Sequence, residues 1–169
     1  PGFHLGYGTT NLIWMGDEDQ VVIDVPAPWY CKFSDFSIDG KYVPGLIGIR
    51  YRAAWEFGHD GGKHNVFERI SMTGVEVGFD IGGPFSPDLV GSSFRNILVE
   101  NMHVGMRFIG ANVAEQWVSQ SHFNNWTVAA IQLVAHASPR VIRPLASKGL
   151  PAPYAVFEDV DKREIFVEQ

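Results

Sequence analysis

The sequence predicts an all-β chain wound as a right-handed parallel β-helix, a β-solenoid of about five coils. Three observations point there. A degenerate two-strand unit recurs at intervals mostly in the twenties, which suits a parallel β-helix. Twelve Phe, five Trp and five Tyr join many β-branched residues, the composition of short strands. Eighteen Gly and ten Pro punctuate the chain with turns, and 46% hydrophobic against 19% charged residues excludes disorder.

The first strand of the unit carries apolar residues at offsets 0, +3 and +5. These are Phe33, Phe36 and Ile38; Phe67, Ile70 and Met72; Phe94, Ile97 and Val99; and, most weakly, Val118, Ser121 and Phe123. An earlier first strand lies in Thr10–Met15, with its register open by one residue. The second strand reads small–apolar–polar–apolar. Its apolar residue recurs as Ile23, Ile49, Phe79, Met106 and Ile131, at intervals of 26, 30, 27 and 25 residues. An antiparallel sandwich would instead show hairpin turns every eight to twelve residues or so.

One coil cannot bury its own inward side chains, but stacked coils bring like offsets to about 4.8 Å from each other. Phe33, Phe67 and Phe94 then form one interior column, and Ile49, Phe79, Met106 and Ile131 another. Gly48, Gly78 and Gly105 precede second strands, where positive φ or close packing is required. Gly40, Gly74, Asn101 and Asn125 share offset +7, a corner suited to left-handed backbone.

Residues 1–134 are read as coils, with an inserted loop at 52–65 and a shorter excursion at 82–88. Residues 135–169, broken by Pro139, Pro144, Pro151 and Pro153, are read as a tail or cap over the solenoid end. The start at Pro1-Gly2-Phe3 reads as a piece of a longer chain.

A net charge of −6 and a pI near 5.4 argue against non-specific nucleic-acid binding or anionic membranes, which need a basic face. No apolar run reaches the roughly 18–20 residues of a helical span. Cys31, the single cysteine, is expected as a small buried thiol.

The runs Thr9–Trp14, Val21–Val25 and Phe33–Gly40, with the later Gly-apolar-x-apolar coils, resemble the pectate-lyase-like superfamily of right-handed parallel β-helix proteins. The resemblance covers roughly residues 8–134 and is one of coil. It implies a polysaccharide or glycan as partner, an extracellular or virion-associated setting, and a homo-oligomer such as a trimer. The group includes polysaccharide lyases, polygalacturonase-type hydrolases and phage tailspike depolymerases. Neither the Asp-Asp pair of the hydrolases nor the calcium-binding acids and catalytic Arg of the lyases is present to carry over.

Outward positions offer two polar ladders. The second strand gives Asp24, Arg50, Asp80, Arg107 and Gln132, favoured as an alternating-charge ladder that fixes coil register, since an intervening Arg would depress any carboxylate pKa. Offset +6 gives Asp39, Thr73, Glu100 and Asn124. Here Asp39 and Glu100 stand two rungs apart as a candidate acid and base pair, unless they cap the adjoining turn. Trp55, Trp126, Trp29 and Tyr30 are candidate sugar platforms, against the reading that each covers a corner or a subunit contact. His59, Asp60 and His64 in the inserted loop are not read as a metal site, and no cofactor is expected. A polysaccharide-active or polysaccharide-binding β-helix is therefore weighed against a non-catalytic module of an adhesin or phage tail.

Overall fold

The computed structural model describes residues 10–52, 62–83, 89–110, 113–114, 116–134 and the short strands at 141–143, 155–158 and 166–167. Every strand pair among them is parallel. One face stacks β1 (Thr10–Ile13), β3 (Lys32–Asp39), β5 (Val66–Thr73) and the first half of β8 (Ser93–Ile109). It continues through β10 (Trp117–Ser119) with the start of β11 (His122–Val134), then β12 (Val141–Arg143) and β14 (Phe166–Val167). The second face stacks β2 (Val21–Pro26), β4 (Ile47–Arg52), β6 (Val77–Gly82), the later half of β8, the later half of β11, and β13 (Ala155–Glu158). A narrow third face joins β7 (Leu89–Val90) to β9 (Val113–Ala114), with bridges from Trp29 to Lys63 and Lys63 to Val90. The result is a β-solenoid of about four turns. The class is as expected, and the coil count is slightly below the expected five.

The register matches the repeat residue by residue. Phe33 pairs with Phe67 and Phe67 with Phe94; Ile49 pairs with Phe79 and Phe79 with Met106. The ambiguous first strand is settled by Leu12 opposite Ile38. The Phe33, Phe67 and Phe94 rings stack at 4.9 Å between neighbours, and Phe79 meets Phe67 and Phe94 edge-on at 5.7 and 5.4 Å. Both aromatic geometries suit the ring quadrupole, so the column is specific in shape as well as apolar.

The 0, +3, +5 spacing has a backbone cause. In a regular strand, residues at 0 and +3 point to opposite faces. Here the residue at +2 is left-handed on four coils: Asp35, Arg69, Asn96 and Gln120 have φ of 66°, 52°, 53° and 50°. This one-residue kink turns the next apolar side chain inward, and Phe67, Ile70 and Met72 are all fully buried.

Gly48, Gly78 and Gly105 have no positive φ; close packing is their reason. A Cβ on Gly105 would lie 2.5 Å from the Ala130 carbonyl oxygen and 2.4 Å from the Phe123 ring. At offset +7, Gly74, Asn101 and Asn125 are left-handed as expected, but Gly40 is not: there Lys41 and Tyr42 take φ of 56° and 60° instead. Backbone pairing also persists beyond Val134, since β12, β13 and β14 add to the two faces in parallel. Cys31 is exposed, contrary to expectation; it directly precedes β3, and its backbone N–H donates to Asn65 Oδ1 at 2.9 Å.

Candidate functional site

The corner between the first and second faces differs in length from coil to coil, and this shapes the surface. From the last paired residue of the first face to the first of the second, the chain runs Ile13 to Val21, Asp39 to Ile47, Thr73 to Val77, Glu100 to Val104, and Asn124 to Ala129. Two long corners are thus followed by three short ones. The second long corner overhangs the short ones and leaves a groove of about 520 Å³, lined along its wall by Tyr42, Val43 and Pro44 and along its floor by residues such as Glu76, Asn101 and His103. Between the two long corners lies a second groove of about 610 Å³, formed by Gly16, Asp17 and Glu18 against the same Tyr42–Pro44 ridge.

Tyr42 stands on that ridge with 69% of its surface exposed. Two consecutive left-handed residues that are not glycine hold it there, at a cost of roughly 1–2 kcal/mol each. The turn is pinned rather than loose. The Lys41 backbone N–H donates to Asp39 Oδ1 at 3.0 Å, and the Tyr42 N–H donates to the Gly74 carbonyl at 2.9 Å. A Glu76 carboxylate oxygen accepts the Gly45 N–H at 2.8 Å, tying the far end of the ridge to the groove floor.

Asp39, Thr73, Glu100 and Asn124 form one ladder in the predicted register, immediately before the groove-lining corners. The two acids stand two rungs apart, about 9–10 Å by strand spacing. Each has partners. Asp39 binds the Lys41 ammonium at 2.5 Å, while buried Glu100 accepts from the Asn124 amide at 3.1 Å. Beside them runs an amide ladder: Asn125 donates to Asn101 at 3.0 Å, and Asn101 donates to the Thr73 hydroxyl at 3.2 Å.

The second-strand ladder is in register and is an ion-pair array. Nearly buried Asp80 receives Arg107 Nε at 2.8 Å on one oxygen and Arg50 Nε at 3.4 Å on the other. Asp24 is held by Arg52 in a two-nitrogen grip at 2.8–3.2 Å, two residues beyond its Arg50 rung partner. That hydrogen bonding, with the Arg52 and Arg50 charges behind it, lowers the Asp24 pKa. A carboxyl held ionised in this way cannot serve as a general acid.

The aromatic candidates do not converge. Trp126 is 4% exposed and packed in the core beside Met102, so it offers no face to a sugar; its offset carries it inward with Val75 on the same corner. Trp29 and Tyr30 are exposed, but at the opposite end of β3 from Asp39. There Lys63 lies over the Trp29 ring at 5.2 Å and His64 stacks on Tyr30 at 5.3 Å. Trp55, with most of the inserted loop, lies outside the described residues. Neither composition nor the repeat marks Tyr42, Glu76 or His103; the signal the sequence carries for them is the unequal corner length. No group of three or more His, Cys, Asp or Glu residues suited to a metal ion occurs among the described residues.

No family model, curated protein or solved structure matches the chain.

Proposed function

We propose that this chain binds a polysaccharide, laying an extended glycan across successive coils along the Tyr42 grooves. The observation that carries the reading is Tyr42 itself. An exposed ring held in costly left-handed backbone, between two grooves, is what a stacking platform needs, and strain of this kind concentrates at functional positions. The Asn101 and Asn125 amides supply polar groups of the kind that orient hydroxyls, set on a rigid stack rather than a loop. The resemblance of the coils to the pectate-lyase-like superfamily points to the same class of partner.

A catalytic reading, with Asp39 and Glu100 as acid and base, is second. Their common face and two-rung spacing favour it; the Lys41 and Asn124 contacts weigh against free proton transfer. Affinity electrophoresis through gels containing individual soluble polysaccharides tests the binding reading. At least one polymer should retard the chain, and Tyr42→Ala should abolish the retardation while leaving the melting curve intact. Retardation that survives Tyr42→Ala, or none on any polymer, overturns it. New reducing ends or unsaturated products that vanish in Asp39→Asn or Glu100→Gln would favour the catalytic reading instead.

A further inference from the structure

The charges around the two grooves specify more than a glycan in general. We propose that the preferred polymer is cationic: a polysaccharide whose sugar units bear free, protonated amino groups. This rests on the glycan-binding reading above and narrows it.

Asp17 and Glu18 line the groove on one side of the Tyr42 ridge and Glu76 lines the groove on the other, and no Lys or Arg is among the described residues lining either. The nearest ammonium on the ridge, Lys41, is turned onto Asp39 at 2.5 Å, which leaves Asp39's charge offset and the grooves without that cation. Among the described residues, the one basic side chain in the lining is His103, whose Nδ1 lies 3.8 Å from a Glu76 carboxylate oxygen. The grooves share the Tyr42–Pro44 wall and follow the stack through five successive corners, from Gly16–Glu18 to Asn125–Thr127, about 19 Å at 4.8 Å per rung. A strand of sugars lying along this path meets carboxylates before and after the ring.

Those groups suit an ammonium in two ways. A carboxylate forms a charge-assisted hydrogen bond with it, and the face of an aromatic ring attracts it through the quadrupole. A uronate or sulfated polymer would instead bring like charges together inside a concave surface, where water screens less well than in the open. A neutral polymer would strip water from the carboxylates without replacing the lost charge interaction.

The test compares oligomers of glucosamine, of N-acetylglucosamine and of galacturonate by calorimetry with the full chain, at a pH where the glucosamine amines are protonated. The expected result is a preference of about tenfold or more for the glucosamine oligomer over its acetylated counterpart, with no galacturonate binding. The triple variant D17N/E18Q/E76Q should reduce that preference to about twofold, as should raising salt from about 0.05 to about 0.5 M. Gln at position 76 keeps an oxygen for the Gly45 N–H, so the ridge stays anchored, and circular dichroism confirms folding. Equal or tighter binding of the acetylated or galacturonate oligomer, or a preference untouched by the triple variant, overturns the inference while Tyr42-dependent glycan binding stands. Failure of every glycan, in this set and in the polysaccharide gels, overturns both.

Discussion

At Tyr42 two demands on one residue pull apart. The backbone there, with φ of 60° after 56° at Lys41, favours glycine, whereas the exposed ring serves no visible packing role in the core. Tyr42→Gly is therefore expected to raise stability by about 0.5–1 kcal/mol, the left-handed cost being partly offset by the entropy glycine loses on folding. Chemical denaturation checks this, and a destabilised variant would mean that the ring holds the ridge up. The carboxylates of the two faces give a second expectation. Asp35 is bound by the Arg69 guanidinium and by Ser34, and its pKa falls to about 2. Glu68 is lowered by its hydrogen bond to Lys32 and by the Arg69 charge, and Asp24 by Arg52. For groups depressed on folding, the contribution to stability is complete above the unfolded carboxylate range and is lost as pH falls through the folded values. Denaturant midpoints should thus decline from about pH 4 toward pH 2. Arg69→Gln should flatten part of that decline, and an unchanged profile would show that the pair is equally formed in the unfolded chain. Asp35 and Asp24 are exposed, so the effect of each is small; Glu68 is partly buried.

At the scale of the strand, the left-handed residue at offset +2 is the device that makes the repeat work. Gln120 is exposed and carries φ of 50°, so its backbone, not its contacts, is what a substitution tests. Gln120→Val, β-branched and ill suited to φ > 0, should cost about 1–2 kcal/mol, while Gln120→Gly should be neutral or mildly stabilising. A neutral Val variant, measured by urea unfolding, would show that the kink is dispensable on that coil. The same device explains what could be read in advance. The 0, +3, +5 spacing was visible as sequence and gave the columns, because inward positions tolerate only apolar residues. Its cause was not visible, since Asp, Arg, Asn and Gln at +2 share no chemistry. The shared register of Asp39 with Glu100, and of the Asp80 ladder, is legible because register is periodic. Trp126, expected as an exposed platform, is buried because it shares an offset with Val75 and Met102, which are apolar and inward on their own coils. Tyr42 belongs to a corner insertion, where the repeat carries no information, although the eight-residue step from Asp39 to Ile47 against four from Thr73 to Val77 marks the place.

For the whole molecule, each coil touches chiefly its neighbours, so stability should be distributed along the stack instead of being shared equally. The strands β5, β6 and the body of β8 have a partner on both sides and enclose Phe67, Phe79, Phe94 and Met106, all fully buried. β1 pairs only with β3, and Ile13 on it is half exposed. Local opening requires breaking only the contacts of the segment that opens, so an end strand with one neighbour opens at lower free energy than a strand between two. Native-state hydrogen exchange should accordingly find the slowest amides at Ile70, Phe79 and Met106 and much faster ones at Leu12 and Ile13. Phe67→Ala, which removes the middle ring of the stacked column, should cost about 3–5 kcal/mol and loosen β3 and β8 together, because both outer rings lose a neighbour. A loss of protection confined to β5 would mean that the column is not one cooperative unit. The grooves depend on the same column: their floor is made of corners fixed by the strands on either side. Phe67→Ala should therefore also weaken any glycan binding that Tyr42→Ala abolishes, although Phe67 is fully buried and Tyr42 lies on the surface.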